Sequence, residues 1–95
     1  MSNYSRGANF ERRVKKYLEN GGYLVIRSAG SHSPVDLVAL RAGEVLLIQV
    51  KLNGEIPQVE AEQLIEIARE NQCQALLAWN WKGTIIFKAL DKEVQ

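Results

Sequence analysis

An acidic, an amide and a basic side chain are spaced in this sequence so that one β-hairpin would bring them together. A two-residue turn at Ala42-Gly43 pairs Asp36 with Gln49, because residues equidistant from such a turn lie opposite each other. Side chains alternate between faces along a strand, so Asp36, Gln49 and Lys51 would share one face. A carboxylate, an amide oxygen and an ammonium group can together act on a phosphate. The alternative is an exposed hairpin end with ordinary polar residues.

Glu11 is a second carboxylate in an unusual position, at the border of the apolar stripe of a predicted helix. It precedes Leu18 by seven residues, which is about 20° away on a helical wheel. A carboxylate there needs a cation or an ion pair, and Lys15 is one candidate partner. Glu11 and Asp36 together would suit a hard divalent cation such as Mg²⁺. Beside that ion, Lys51 could stabilise charge developing on a phosphate, so the set indicates phosphodiester hydrolysis.

The apolar periodicity predicts elements in the order αβββαββ, a mixed α/β fold whose central sheet is flanked by helices. The 95 residues are enough for one domain, expected to span residues 1–95. The predicted helices run from about Ala8 to Asn20 and from Pro57 to about Asn71, and the predicted strands are Tyr23 to Ser28, Val35 to Leu40, Glu44 to Lys51, Gln74 to Trp79 and Thr84 to Leu90.

The composition excludes several classes of protein. Apolar residues make up 46% of the chain and charged residues 24%, which is typical of a globular domain. The single cysteine, Cys73, excludes an internal disulfide and a cysteine-rich zinc site. The longest apolar run has five residues, far fewer than the ~18 that cross a bilayer, and the N-terminal residues do not resemble a signal peptide. We therefore expect a soluble, cytoplasmic protein with no membrane partner and no small-molecule substrate.

The net charge of +1 conceals an uneven distribution. Residues 1–51 contain eight basic and four acidic residues, whereas residues 52–95 contain four basic and seven acidic ones. The first part thus carries +4 and the second −3. Such asymmetry is expected of a protein with one phosphate-facing side, although solvated helix faces would produce it too.

Four short motifs occur in order within residues 7–51. They are Gly7-x-x-Phe10-Glu11-Arg12, then Gly22-Tyr23-x-Val25-Ile26-Arg27-Ser28-Ala29-Gly30-Ser31, then Val35-Asp36-Leu37-Val38-Ala39, and last Leu47-Ile48-Gln49-Val50-Lys51. Together they resemble the archaeal-type Holliday junction resolvases (Hjc) of the PD-(D/E)XK nuclease superfamily. The resemblance implies the restriction-endonuclease-like core and a homodimer that resolves four-way DNA junctions, in recombination and repair, by nicking two opposing strands.

The resemblance also implies roles for individual residues. Glu11, Asp36 and Gln49 would bind Mg²⁺, or Mn²⁺ in its place, with the Val50 carbonyl as a further ligand and Lys51 as the catalytic lysine. The active-site serine of the family would correspond to Ser31 or Ser33, because the segment from serine to Asp36 is one residue longer than usual. Arg12 and Arg27 match family arginines linked to junction binding or active-site support. Apart from the resemblance, the basic residues Arg6, Arg13 and Lys16 and the loop residue His32 are also expected to contact DNA.

The third metal-binding position departs from the family pattern. Resolvases usually have Glu or Asp where this chain has Gln49, and an amide supplies an oxygen to a metal without a charge. A Gln-x-Lys motif occurs in Mrr-type restriction nucleases of the same superfamily. Two alternatives to a resolvase therefore remain: an Mrr-like endonuclease that cuts duplex DNA, and a catalytically inactive DNA-binding dimer.

Overall fold

The computed structural model describes residues 3–29 and 33–91 as two helices and one five-stranded sheet. The predicted order αβββαββ and the mixed α/β class are confirmed. The helices are α1 (Asn3–Asn20) and α2 (Gln58–Glu70), and the strands are β1 (Leu24–Arg27), β2 (Leu37–Arg41), β3 (Glu44–Lys51), β4 (Gln74–Trp81) and β5 (Thr84–Ala89). Within the described ranges, no helix is long and apolar enough to cross a membrane.

Several element boundaries differ from the prediction. The first helix begins five residues before Ala8 and includes Gly7, since one glycine costs a helix only about 1 kcal/mol. Pro57 is not the first residue of α2 but its N-cap, because its ψ of 143° is extended rather than helical. Strand β4 continues to Trp81, and the turn that follows it is Lys82-Gly83, where both residues have positive φ.

The strands lie in the sheet in their sequence order, and β3 is the central one. Strands β3 and β4 are parallel, whereas the other neighbouring pairs are antiparallel. A parallel pair needs a crossover connection, which α2 makes. Residues 46–49 of β3 are all buried, as expected of a strand covered on both faces.

The two helices cover opposite faces of the sheet. Leu46 and Ile48 of β3 pack in the cluster that includes α1, whereas Leu47 packs in the cluster that includes α2. Successive strand residues point to opposite faces, so each helix has its own core. The α1 core contains Phe10, Val14, Leu18, Val25, Leu37, Ala39, Leu46, Ile48 and Ala78, and the α2 core contains Leu47, Leu64, Ala68 and Ala75.

The β2–β3 hairpin has the predicted register. Leu40 pairs with Val45 and Val38 with Leu47, which centres the turn on Ala42-Gly43. Both turn residues have positive φ, 43° and 84°, as the tight turns favoured in hairpins require. The hairpin therefore carries the polar residues of both strands toward the same end of the sheet.

The segment after β3 passes close to the sheet at Gly54. Its φ is +77°, and an added Cβ would lie 2.6 Å from Cδ2 of Trp79, the residue that pairs with Lys51. We expect Gly54→Ala to lower the free energy of unfolding by about 1–3 kcal/mol, through the strained φ and the overlap with the indole ring. Urea denaturation would measure this. Gly43→Ala, with positive φ but no neighbour within 4 Å of the added Cβ, separates the two causes. An equal loss in both variants would show that the contact with Trp79 contributes nothing.

Candidate active site

Two adjoining clefts lie where β2 begins and β3 ends. The first cleft, of about 240 Å³, is lined in part by α2. The second, of about 350 Å³, is lined in part by α1. Asp36 and Gln49 line both clefts, so the four polar residues predicted to act together lie around one opening. The first is lined by Ser33, Pro34, Asp36, Gln49, Lys51, Glu60 and Gln63, and the second by Gly7, Ala8, Glu11, Arg27, Asp36, Gln49 and Val50.

Asp36 lies where the ladder between β2 and β3 ends. The predicted pair of Asp36 with Gln49 does not form: the ladder ends with Leu37 opposite Ile48, and the Asp36 amide donates to the carbonyl of Ile48 at 2.8 Å. On its other side the Asp36 carbonyl accepts a hydrogen bond from the Ser28 amide at 2.9 Å. Its carboxylate Oδ2 accepts one from the Val50 amide at 2.8 Å. These bonds fix the carboxylate at the opening.

The environment of Asp36 disfavours its ionised form. Burial raises the pKa of the Asp36 carboxyl above its usual range, and the negative charges of Glu11 and Glu60 raise it further. The hydrogen bond from Val50 and the positive charge of Lys51 oppose this rise without overcoming it. A carboxylate held under excess negative charge attracts a cation, so this position favours cation binding.

Among the residues that the structure describes, Gln49 is the polar residue buried in the core, with 7% of its surface exposed. Its Oε1 accepts no hydrogen bond from the residues that the structure describes. An unpartnered buried acceptor costs about 1–3 kcal/mol, so its retention calls for an explanation. Since Gln49 lines both clefts, a ligand bound at the opening would supply the missing partner.

Lys51 ends β3 and reaches the α2 side of the opening. Its Nζ lies 3.2 Å from Oε1 of Glu60, in the first turn of α2. About 28% of the Lys51 side chain and 39% of the Glu60 side chain are exposed, so this ion pair contributes little to stability. The ammonium group is thus placed in the cleft beside Asp36 and remains accessible to a phosphate.

Glu11 lies on the α1 side of the opening, where its Oε2 accepts a hydrogen bond from Nε of Arg27 on β1. The side chain of Glu11 is 20% exposed. The alternative in which Glu11 pairs with Lys15 is wrong, because Lys15 Nζ lies 2.7 Å from Glu19. Glu19, eight residues after Glu11 on the same helix, is solvent-exposed, whereas Glu11 is turned toward the sheet.

The donors around the opening are suited to a hard cation. Carboxylate, amide and carbonyl oxygens are the ligands that Mg²⁺ and Mn²⁺ prefer, and Gln49 Oε1 has no competing partner. In the part of the chain that the structure describes, no three His, Cys, Asp or Glu side chains are grouped closely enough to hold a metal by themselves. Non-carboxylate oxygens or a movement of a carboxylate would therefore have to complete the set.

The other residues predicted to act at this site are more scattered. Ser33 lines the first cleft, and its Oγ accepts a hydrogen bond from the Val35 amide at 3.0 Å. Ser31 and His32 lie outside the described residues. The side chains of Arg6, Arg12, Arg13 and Lys16 are exposed on α1. Two of them have protein partners: Arg12 donates to Asn9 Oδ1, and Arg13 donates to the Gly83 carbonyl at 2.9 Å.

Sequence analysis missed Glu60 and Gln63, both of which line the first cleft. They lie on α2, whose first turn follows the end of β3 after a short connection. A helix that connects two parallel strands begins near the carboxyl end of the first strand, where ligands of open α/β sheets bind. That rule would have placed the first turn of α2, and with it Glu60, beside Lys51.

The known proteins that the chain resembles belong to one family. A model of the archaeal Holliday junction resolvase (Hjc) family matches residues 2–94. The crossover junction endodeoxyribonuclease Hjc of Methanocaldococcus jannaschii is 39% identical over 88 residues, covering 88% of this chain and 65% of the relative. That of Sulfurisphaera tokodaii is 40% identical over 70 residues, covering 65% of this chain and 48% of the relative.

A solved structure shares the fold. The Hjc of Archaeoglobus fulgidus, a Holliday junction resolvase from an archaeal hyperthermophile, superposes with a TM-score of 0.76 and is 30% identical. The match covers 95% of this chain and 79% of that one. The chain spans about half to two-thirds of the length of the curated relatives it matches.

Proposed function

The chain belongs to the archaeal Holliday junction resolvase (Hjc) family, and on that basis we propose that it is an endonuclease that cleaves four-way DNA junctions. The observation that carries the proposal is the meeting of Asp36, Gln49 and Lys51 at one opening, with Glu11 on its other side. The reaction proposed for this site is hydrolysis of a phosphodiester in each of two opposing strands.

Each residue of the opening has a role in this proposal. Glu11, Asp36, Gln49 Oε1 and the Val50 carbonyl would hold a divalent cation, Mg²⁺ or Mn²⁺. When bound, that cation stabilises negative charge on the phosphate and makes water more acidic. The bond from the Val50 amide holds one Asp36 oxygen in place, which leaves the other oxygen for the cation. Lys51 would place its ammonium group against the scissile phosphate and stabilise the charge that develops there.

The DNA contacts proposed for the chain rely on phosphates. Arg6, Arg12, Arg13 and Lys16 are exposed on α1, the helix that also carries Glu11. A junction backbone lying along the exposed face of α1 would contact these four residues. Contacts of this kind weaken steeply as salt rises and depend on the shape of the DNA more than on its sequence.

Purified protein incubated with Mg²⁺ and labelled four-way junction, duplex or flap DNA tests the proposed function. Paired symmetric nicks in the junction alone are expected. Cutting of plain duplex would instead support an Mrr-like endonuclease, which the Gln-x-Lys motif at Gln49 and Lys51 permits. Junction binding without cleavage in either Mg²⁺ or Mn²⁺ would contradict both nucleases and support an inactive DNA-binding dimer.

A homodimer is part of the proposal, because one site per chain cannot make two coordinated cuts. Leu24 and Ile26 lie on the same side of the edge strand β1 and are 63% and 51% exposed. Proteins normally cover or charge an apolar edge strand, since it otherwise promotes aggregation. We assign the subunit contact to this side of β1.

Ile26→Lys is accordingly expected to convert the dimer to a monomer at micromolar concentration, because the contact would have to bury a charge. Sedimentation velocity measures the change, and junction cleavage should fall with it. Trp81→Lys is the matched control, since Trp81 is 52% exposed near the opposite edge of the sheet. Dissociation by the Trp81 variant and not by the Ile26 variant would move the contact to the other edge.

A further inference from the structure

The sheet contributes less negative charge to the cation site proposed above than a divalent cation normally needs. Gln49 contributes an oxygen but no charge, and Glu11 is already paired with Arg27. Asp36 is then the one carboxylate of the sheet at the opening without an ion pair among the described residues. A divalent ion in a protein is normally balanced by more than one carboxylate, so a further acidic group would strengthen the site.

Glu60 is placed to provide that group. It lines the same cleft as Asp36, Gln49 and Lys51, and its Oε1 lies 3.2 Å from Lys51 Nζ. With 39% of its side chain exposed and a single weak ion pair, Glu60 can change its rotamer at little cost.

Gln49 is an independent indication that a ligand binds between these groups. Gln49 is 93% buried, and its Oε1 has no partner in the described chain although the residue lines the cleft. Asp36 and Glu60, which line the same cleft, are acceptors when ionised, and the ammonium group of Lys51, a donor in that cleft, is paired with Glu60 and makes no hydrogen bond to this oxygen. Two acidic groups and an orphaned oxygen around one cavity form an arrangement that a cation satisfies.

We propose, on the basis of the proposed function, that Glu60 is a third carboxylate of the cation site and supplies from α2 the negative charge that Gln49 lacks. In this structure Lys51 neutralises Glu60. The cation site would thus be shared between the sheet, which contributes Asp36 and Gln49, and the helix that follows it. Compared with resolvases that have Glu or Asp at the position of Gln49, the third carboxylate would lie on α2 instead of β3, and the catalytic lysine would keep its position.

Binding of Mn²⁺ to the full chain without DNA tests the proposal independently of catalysis. Titration followed by the electron paramagnetic resonance of free Mn²⁺ should show that Glu60→Gln weakens binding at least about tenfold. Glu62→Gln is the matched control, because it removes the same charge from the same helix at an exposed position whose partner is Gln58. That control should bind Mn²⁺ as the parent chain does.

Two further variants separate the proposed role from an indirect one. Gln49→Glu should restore Mn²⁺ binding in the Glu60→Gln chain, since it returns the charge to β3. In a Lys51→Met background the loss caused by Glu60→Gln should persist. If Glu60 acts solely by neutralising Lys51, the loss disappears in that background.

The outcomes distinguish this inference from the proposed function. Equal Mn²⁺ affinity in the parent and Glu60→Gln chains, or a loss that requires Lys51, would overturn the role of Glu60 and leave a nuclease with its cation on Glu11 and Asp36. Absence of Mn²⁺ binding in the parent chain would overturn both. An unchanged melting temperature of the Glu60→Gln chain would show that the loss of Mn²⁺ affinity is not caused by unfolding.

Discussion

Asp36→Asn is expected to reduce junction cleavage at least about 10³-fold while leaving junction binding largely intact. A bound cation supplies several kcal/mol of transition-state stabilisation, and each ~1.4 kcal/mol corresponds to a factor of ten in rate. Asparagine keeps an oxygen that can accept the bond from the Val50 amide, so the backbone at the opening should not move. What it loses is the charge and the second carboxylate oxygen.

The same substitution should make the protein more stable at neutral pH in the absence of metal. Because burial raises the pKa of Asp36 in the folded chain, the fold favours the neutral acid. This contribution to stability is complete below the usual aspartate pKa, near 4, and is lost as the pH rises through the higher folded value. Ionisation of the half-buried Asp36 at higher pH therefore costs the parent chain stability, whereas the asparagine variant has no charge to desolvate.

Thermal unfolding between pH 3 and pH 8, together with single-turnover cleavage, measures both effects. The melting temperature of Asp36→Asn should exceed that of the parent at pH 7, and the difference should vanish as the pH falls below 4. Asp91→Asn removes one charge outside both clefts and serves as the control. Cleavage at the parental rate by Asp36→Asn would disprove the site assignment, and a lower melting temperature at pH 7 would disprove the account of its burial.

Lys51→Met is expected to lower the cleavage rate by about 10²–10³-fold, the usual cost of removing one group that stabilises transition-state charge. Methionine retains much of the apolar stem, so packing at the end of β3 should be preserved. The lost ion pair with Glu60 is partly exposed and should change the free energy of unfolding by less than about 1 kcal/mol. A large effect on rate with a small effect on stability distinguishes a catalytic lysine from a structural one.

Single-turnover cleavage at saturating protein measures this loss, and a junction-binding titration shows whether affinity also changes. Lys88→Ala is the control, since Lys88 is an exposed lysine on β5. We expect it to cleave normally. If Lys51→Met weakens junction binding in proportion to the loss of cleavage, Lys51 is a phosphate-binding residue rather than a catalytic one.

The part of the site that lies within one hairpin could be predicted from the sequence. A two-residue turn sets the register, and the alternation of side chains then sets the faces, so pairs such as Val38 and Leu47 follow from local rules. The predicted strand pairing fails at Asp36, because the ladder between β2 and β3 ends at Leu37, the next residue of the chain. No local sequence pattern predicts that break, which lies at the start of β2, where the preceding loop joins the strand.

The position of Glu11 could be predicted only in part. The helical period showed that it borders the buried stripe, and the structure places it at the opening. The ion-pair partner of Glu11 could not be predicted from the sequence. Arg27 lies sixteen residues away on a different element, and an i,i+4 pair with Lys15 is equally compatible with the spacing. Choosing between the two requires the packing of α1 on the sheet.

The order of elements, the hairpin register and the family membership are all encoded in short-range pattern, since turn length, side-chain alternation and motif order are local properties of the chain. Tertiary structure decided what no local property contains: that Gln49 is buried with an unpartnered oxygen, that Asp36 is partly desolvated under the charges of Glu11 and Glu60, and that α2 brings Glu60 to Lys51. These features depend on burial and on charges from separate elements, and both are set by how the helices pack on the sheet.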